Sequence, residues 1–125
     1  MNILSGVDII RIDRLEHVNP AIRRRFFDRV FNKEEQDFIK NINERAAGIF
    51  AAKEAVSKVL GTGIGPISWQ DIHIHHNSYG KPSVILSDKA RVFFQHLGIV
   101  SLSVSISHSR ENAVAIAVAL CDNRI

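Results

Sequence analysis

Glu54, Lys58 and Gly61 stand at i, i+4 and i+7 of an alanine-rich apolar run. On a helix they share one face that leads into a turn. Lys53 lies beside them, and Gly61, Gly63 and Gly65 follow. A packing helix needs the apolar residues. It has no need of a carboxylate and two ammonium groups beside exposed backbone N–H groups. That set suits a phosphate ester held with a divalent cation. The plainer reading is a surface Glu–Lys pair, about 0.3–0.5 kcal/mol, followed by a glycine cap. Helix polarity adds a constraint. Phosphate loops of nucleotide-binding folds put their glycines at a helix N-terminus, where the dipole favours an anion. Here the negative end of the dipole faces the turn. A phosphate at Gly61–Gly65 therefore needs Lys58 and a metal to offset it, and the turn is neither a Walker loop nor a dinucleotide fingerprint.

Asp8 sits between Val7 and Ile9 in an otherwise apolar segment. A lone carboxylate there is costly unless it is paired or bound to a metal. Capping a strand end or pairing with an arginine is the structural alternative. With Glu54 it offers two hard oxygen ligands, a usual number for Mg²⁺ shared with substrate phosphates. His73 and His75 fall on one face of an alternating segment. They have no third ligand at useful spacing and no cysteine nearby, so a solvated strand face is expected there rather than zinc. His108 lies at a hairpin tip. Lys81 stands between Gly80 and Pro82 on a rigid turn that could present its ammonium. No serine occupies a Gly-x-Ser-x-Gly elbow, which argues against a hydrolytic triad.

These residues must be positioned by a small set of elements. Ile3 to Ile10 reads as a strand. Short helices follow over Asp13 to Val18 and Pro20 to Val30. Asn32 fits an N-cap before Glu34 and Glu35. Ile49, Ala52, Val56 and Val59 mark a helix from about Asn43 to Leu60, ended by Gly61 as a left-handed cap. Asp71 to His76 and Pro82 to Leu86 read as a hairpin around Asn77–Gly80. Asp88 to Leu97 is a helix. Leu102, Val104 and Ile106 alternate with serines, and Ala113 to Leu120 forms the other arm of a second hairpin. The order predicts an α+β fold with a largely antiparallel sheet packed with helices.

At 125 residues the chain is expected to form one domain, 1–125, with a core large enough to need no disulfide. Cys121 is the only cysteine, so no intrachain disulfide can form and a cytoplasmic location is expected. The N-terminal segment does not read as a signal peptide, and no apolar run is long enough to span a membrane. The net charge is +3, but Arg11, Arg14, Arg23, Arg24, Arg25 and Arg29 cluster near the start. Such a field speeds encounter with an acidic partner. A small basic nucleic-acid-binding protein is the rival reading. Few aromatics are placed for stacking on bases, and Asp8, Glu54 and the glycine turn would go unused. A metal-dependent hydrolase of another phosphate ester is a nearer rival.

The ordered set Gly6-Val7-Asp8-Ile9, Arg29-Val30-Phe31 with Glu34-Glu35, Phe50-Ala51-Ala52-Lys53-Glu54-Ala55 through Gly65, Gly80-Lys81-Pro82 and Ile106-Ser107-His108-Ser109 resembles the holo-acyl-carrier-protein synthase family, small 4′-phosphopantetheinyl transferases. The resemblance spans nearly the whole chain. It implies transfer of the 4′-phosphopantetheine arm of coenzyme A to a serine of apo-acyl carrier protein, with release of adenosine 3′,5′-bisphosphate. Asp8 and Glu54 would hold Mg²⁺. Lys58 would contact the pyrophosphate; Gly61, Gly63, Lys81, Pro82 and His108 would serve the nucleotide. Arg14, Arg25 and Arg29 would meet the carrier. Family precedent also implies a homotrimer with active sites between subunits, in which Asp8 and His108 act on a helix from a neighbour. One departure stands out: Ile49 occupies a position that is commonly basic in the family, and Arg45, one turn earlier, is the expected substitute.

Overall fold

The computed structural model describes residues 1–122. Strand β1 (Asn2–Arg11) is followed by helices α1 (Asp13–Glu16), α2 (Pro20–Val30), α3 (Lys33–Ile39) and α4 (Asn43–Val59). A single 3₁₀ turn, Trp69–Asp71, leads into β2 (Ile72–His76) and β3 (Pro82–Leu86). Helix α5 (Asp88–His96), β4 (Ile99–His108) and β5 (Asn112–Cys121) complete the order. The expected α+β architecture is present. Two antiparallel sheets form, β1-β5-β4 and β2-β3. None of the described helices is long and apolar enough to cross a membrane.

Local chemistry sets the helix ends. Asn19 caps α2 through the Ala21 N–H, with Pro20 at the first helical position. Asn32 and Glu35 form a reciprocal capping box on α3. Gly61 turns the chain out of α4 at φ +81°, and Gly63 keeps it in the left-handed region at φ +70°.

The core is built on an unusually close approach. Helix α4 buries Ala46, Ala47, Gly48, Ala51, Ala52 and Ala55, while β5 turns Ala113, Ala115, Ala117 and Ala119 inward. Small residues on both sides let backbone meet backbone. A Cβ on Gly6 would overlap the Ala55 carbonyl, and one on Gly48 would meet the Ile106 side chain. Apart from Leu4 and Ile10, which pack on the core, the larger residues of β1 and β5 point outward: Ile3, Val7, Ile9, Ile116, Val118 and Leu120 are all exposed. Register pairs Ile3 with Leu120, Val7 with Ile116 and Ile9 with Val114, so the outward side chains form one continuous apolar surface.

Lys53 belongs to this core rather than to any site. Its side chain is fully buried, and Nζ donates to Glu35 Oε1 at 2.7 Å, the Val30 carbonyl at 2.6 Å and the Trp69 carbonyl at 3.0 Å. Burial pushes this ammonium below the ordinary lysine range, and the Glu35 carboxylate pulls the other way. Glu35 in turn accepts from the Ile74 N–H at 2.8 Å. One buried ion pair thus ties α2, α3, α4 and β2 together. Lys53→Met leaves a buried carboxylate without its partner, so urea unfolding should show a loss of about 3–5 kcal/mol. A loss under about 1 kcal/mol, the scale of a surface pair, would mean the pair does not hold these elements.

Candidate active site

Close packing of α4 on β1 brings Asp8 against the C-terminal end of the helix. Asp8 Oδ1 accepts from Lys58 Nζ at 3.1 Å, and the same ammonium donates to the Val7 carbonyl at 2.9 Å. Asp8 points inward and is half-buried, whereas Lys58 is about half exposed. Glu54 lies one turn before Lys58 and accepts from the Trp69 indole N–H at 3.0 Å. The Asp8–Lys58 pair therefore stands one turn of α4 from Glu54, next to the exposed Gly61 turn. The donor set is all oxygen with no soft ligand, which suits a hard cation such as Mg²⁺. A Cβ at Gly61 or Gly63 would meet nothing within 4 Å, so the turn's backbone faces open space.

The other residues singled out from sequence gather at the opposite end of α4. His108 at the end of β4, with Gly80 and Pro82 before β3, lines a cavity of about 250 Å³ together with Arg45, Ile49 and His76. Lys81 is exposed between Gly80 and Pro82. Its backbone N–H is fixed by the Asn77 side chain at 2.9 Å. Arg45 and Glu54 are nine residues apart, roughly 14 Å along a helix rising about 1.5 Å per residue. One chain thus holds the expected residues as two groups, not one.

Asp8 packs against Lys58 of its own chain, and His108 lies in the other group. Ile49 is buried in the cavity wall, and Arg45 supplies the cation there. Its guanidinium lies 4.8 Å from the Phe38 ring centroid and donates to the Phe38 carbonyl.

The arginines divide cleanly. Arg23 donates to the Leu15 carbonyl and covers the Phe27 ring, and Arg24 pairs with Asp28. Arg14 and Arg25 make no hydrogen bond or ion pair among the described residues, and Arg29 lies over Trp69 at 5.6 Å. Beside them a cavity of about 270 Å³ opens between α1, α2 and α4, lined by Arg14, Leu15, Val18, Ile22, Phe26 and Phe50 among others.

A family model described as the 4′-phosphopantetheinyl transferase superfamily matches residues 5–119. The chain belongs to that superfamily. The holo-[acyl-carrier-protein] synthase of Caldanaerobacter subterraneus subsp. tengcongensis is 44% identical over 123 residues, covering 96% of both chains. That of Alkaliphilus oremlandii is 45% identical over 120 residues, 92% of this chain and 96% of the relative. The crystal structure of the Helicobacter pylori holo-[acyl-carrier-protein] synthase in complex with coenzyme A gives a TM-score of 0.85 at 36% identity, over 94% of this chain and all of that one. The Bacillus anthracis synthase in complex with CoA (3′,5′-ADP) gives 0.76 at 35%, over 95% and 96%. The family resemblance read from the ordered motifs is borne out, and this phosphopantetheinyl transferase is an enzyme. The nucleic-acid reading gives way.

Sequence reasoning missed two features of the transferase. Trp69 is half-buried and its indole N–H orients Glu54; its place after the glycine turn was the available signal. The second is His76: its ring stacks on Phe38 with centroids 3.9 Å apart, and its buried Nδ1 has no hydrogen-bond partner among the described residues. Burial of the ring, then the neighbouring His75 and Arg45, push His76 below the ordinary histidine range. The unfolded chain binds this proton near pH 6.5, above the folded value. Stability from the neutral ring is therefore complete above that pH and falls as pH drops toward the lower folded value. Thermal melts between pH 7.5 and 5.5 should show the parent losing stability more steeply than His76→Phe. Equal slopes would contradict this.

Proposed function

We propose that this chain moves the 4′-phosphopantetheine arm of coenzyme A onto a serine hydroxyl of apo-acyl carrier protein. A new serine O–P bond forms, the P–O bond of the pyrophosphate breaks, and adenosine 3′,5′-bisphosphate leaves. The observation that carries this reading is the Asp8–Lys58 pair, with Glu54 one helical turn away, beside an open glycine turn in a chain of this family. Transfer at phosphorus needs charge neutralisation and alignment more than covalent help. Lys58 provides a fixed cation, since Asp8 and the Val7 carbonyl hold its ammonium in place. Asp8 and Glu54 would hold Mg²⁺, which when bound neutralises the pyrophosphate and aligns it. Trp69 keeps the Glu54 carboxylate turned to one side. The acceptor serine belongs to the carrier, in keeping with the lack of a nucleophile elbow here.

The nucleotide end of coenzyme A suits the cavity at the start of α4. Arg45 and Lys81 offer cations for phosphate there, and the His108 imidazole a hydrogen-bonding group, beside Gly80 and Pro82. Because the pyrophosphate group lies at the other end of α4, we place each complete site between two copies of the chain. The outward apolar face of β1 and β5 supports such assembly, with Ile3 74%, Val7 55% and Ile9 65% exposed in the isolated chain. A closed homotrimer is the form we propose. The carrier would approach α2, where Arg14, Arg25 and Arg29 face outward beside an apolar cleft. The reading places the enzyme in the cytoplasm, where a lone free thiol such as Cys121 is ordinary.

Incubation with Mg²⁺, coenzyme A and apo-acyl carrier protein should add one phosphopantetheine arm to the carrier, read by mass spectrometry. An unmodified carrier, with an active relative as control, overturns the reading. Glu54→Gln should lose most turnover, on the order of 10²-fold or more if a charged metal ligand is lost, while circular dichroism stays unchanged. A fully active variant removes Glu54 from the site. Arg25→Glu should raise the KM for the carrier several-fold at low salt, and progressively less as salt screens the attraction. A raised KM for coenzyme A instead would reassign the basic face.

A further inference from the structure

Glu34, His73 and His75 take no part in the transfer reaction described above. The sequence left the two histidines without a third ligand, and the fold supplies one. Glu34 lies in the first turn of α3, and β2 runs alongside it. His75 Nδ1 is 3.0 Å from Glu34 Oε1, and His73 Nε2 is 3.5 Å from Glu34 Oε2. One ligand atom from each residue lies within 4.8 Å of the other two. The histidines are two apart on a strand, so their rings share a side, with centroids 6.3 Å apart.

The supports of this cluster are fixed. Asn32, which caps α3, also contacts His73 Nδ1 through its carboxamide. Glu35 binds the Ile74 N–H between the two histidines and locks α3 to β2. Glu34 and His75 are the mobile partners, 65% and 43% exposed, so small side-chain rotations can draw the three donors together.

We propose that Glu34, His73 and His75 form a binding site for a zinc-class divalent cation. Two imidazoles and one carboxylate, with water as the fourth ligand, are a usual donor set for Zn²⁺. Imidazole selects against Mg²⁺, so this site and the all-oxygen pair Asp8–Glu54 take different ions. Coordination through His73 Nε2 needs the ring proton on Nδ1. Glu35 Oε2, now 3.9 Å from Nδ1, would accept that proton after a small ring movement, in place of the Asn32 contact. A carboxylate behind a metal-bound histidine is a common arrangement. The ion would clamp α3 to β2 on the outer side of the buried Lys53–Glu35 pair.

The test is calorimetric titration of chelator-treated protein with zinc chloride in excess Mg²⁺, which keeps the hard-oxygen site occupied. One saturable zinc per chain is expected. Glu34→Gln and His75→Gln, both surface changes, should each weaken it at least about tenfold, the scale of disturbing a metal site's ligands or their supports. Glu54→Gln should bind zinc as the parent does. Co²⁺ in place of zinc should give the visible absorption of a four-coordinate site, lost in His75→Gln. Absence of saturable zinc binding overturns the proposal. So does parental affinity in a His73→Gln, His75→Gln double variant, or zinc binding that vanishes with Glu54→Gln. None of these outcomes depends on transfer activity.

Discussion

The contact between α4 and the paired strands β1 and β5 sets the rest of the structure. Gly6 lies under the Ala55 carbonyl, and alanines face alanines along the interface. Only such small residues let the helix backbone come this close to the sheet. The approach decides where Asp8 lies: two residues beyond Gly6, on the same inward face, within reach of Lys58. It also decides what faces outward. With alanines filling the inner face of β5, the bulky residues of β1 and β5 are left on the outer face, where a second copy can cover them.

Electrostatics then explains why the site takes its form. A helix C-terminus repels phosphate, and the glycine turn follows that end. In the proposed site Lys58 would answer the problem as a cation and Asp8 with Glu54 as a seat for one. The helix N-terminal half carries the second group, with Arg45 and His108 around a separate cavity. The two groups stand at opposite ends of a helix of 17 residues. In the proposed reaction the reacting pyrophosphate of coenzyme A joins the nucleotide to the pantetheine arm, so one substrate would meet both groups.

Much of this was legible in the sequence. Periodicity placed every helix and both hairpins, and Asn32 and Gly61 gave their boundaries through capping chemistry. The spacing of Glu54, Lys58 and Gly61 put them on one helix face leading into a left-handed turn, as the fold has them. Other features were hidden because they depend on tertiary neighbours. Lys53 and Lys58 both lie in the same helical run, and only the long-range pairing of Lys53 with Glu35 separates a core ammonium from an exposed one. The alternation in β5 reads equally well with either face inward; the small residues of α4 choose the alanine face. Trp69 reaches Glu54 across fifteen residues, and Glu34 reaches His75 across forty-one, distances that no local pattern reveals.

The central claim is that the Asp8–Glu54–Lys58 group of one chain works with the His108 group of another. Co-assembly of two inactive variants tests it directly. Glu54→Gln disables the first group and His108→Glu, which puts negative charge where phosphate should lie, disables the second. Each alone should be inactive with coenzyme A and carrier. Random mixed rings should regain up to about one quarter of parental activity, since that share of interfaces pairs two intact groups in a closed cyclic assembly. Mixed assemblies no more active than either variant alone would show that each site is built within a single chain.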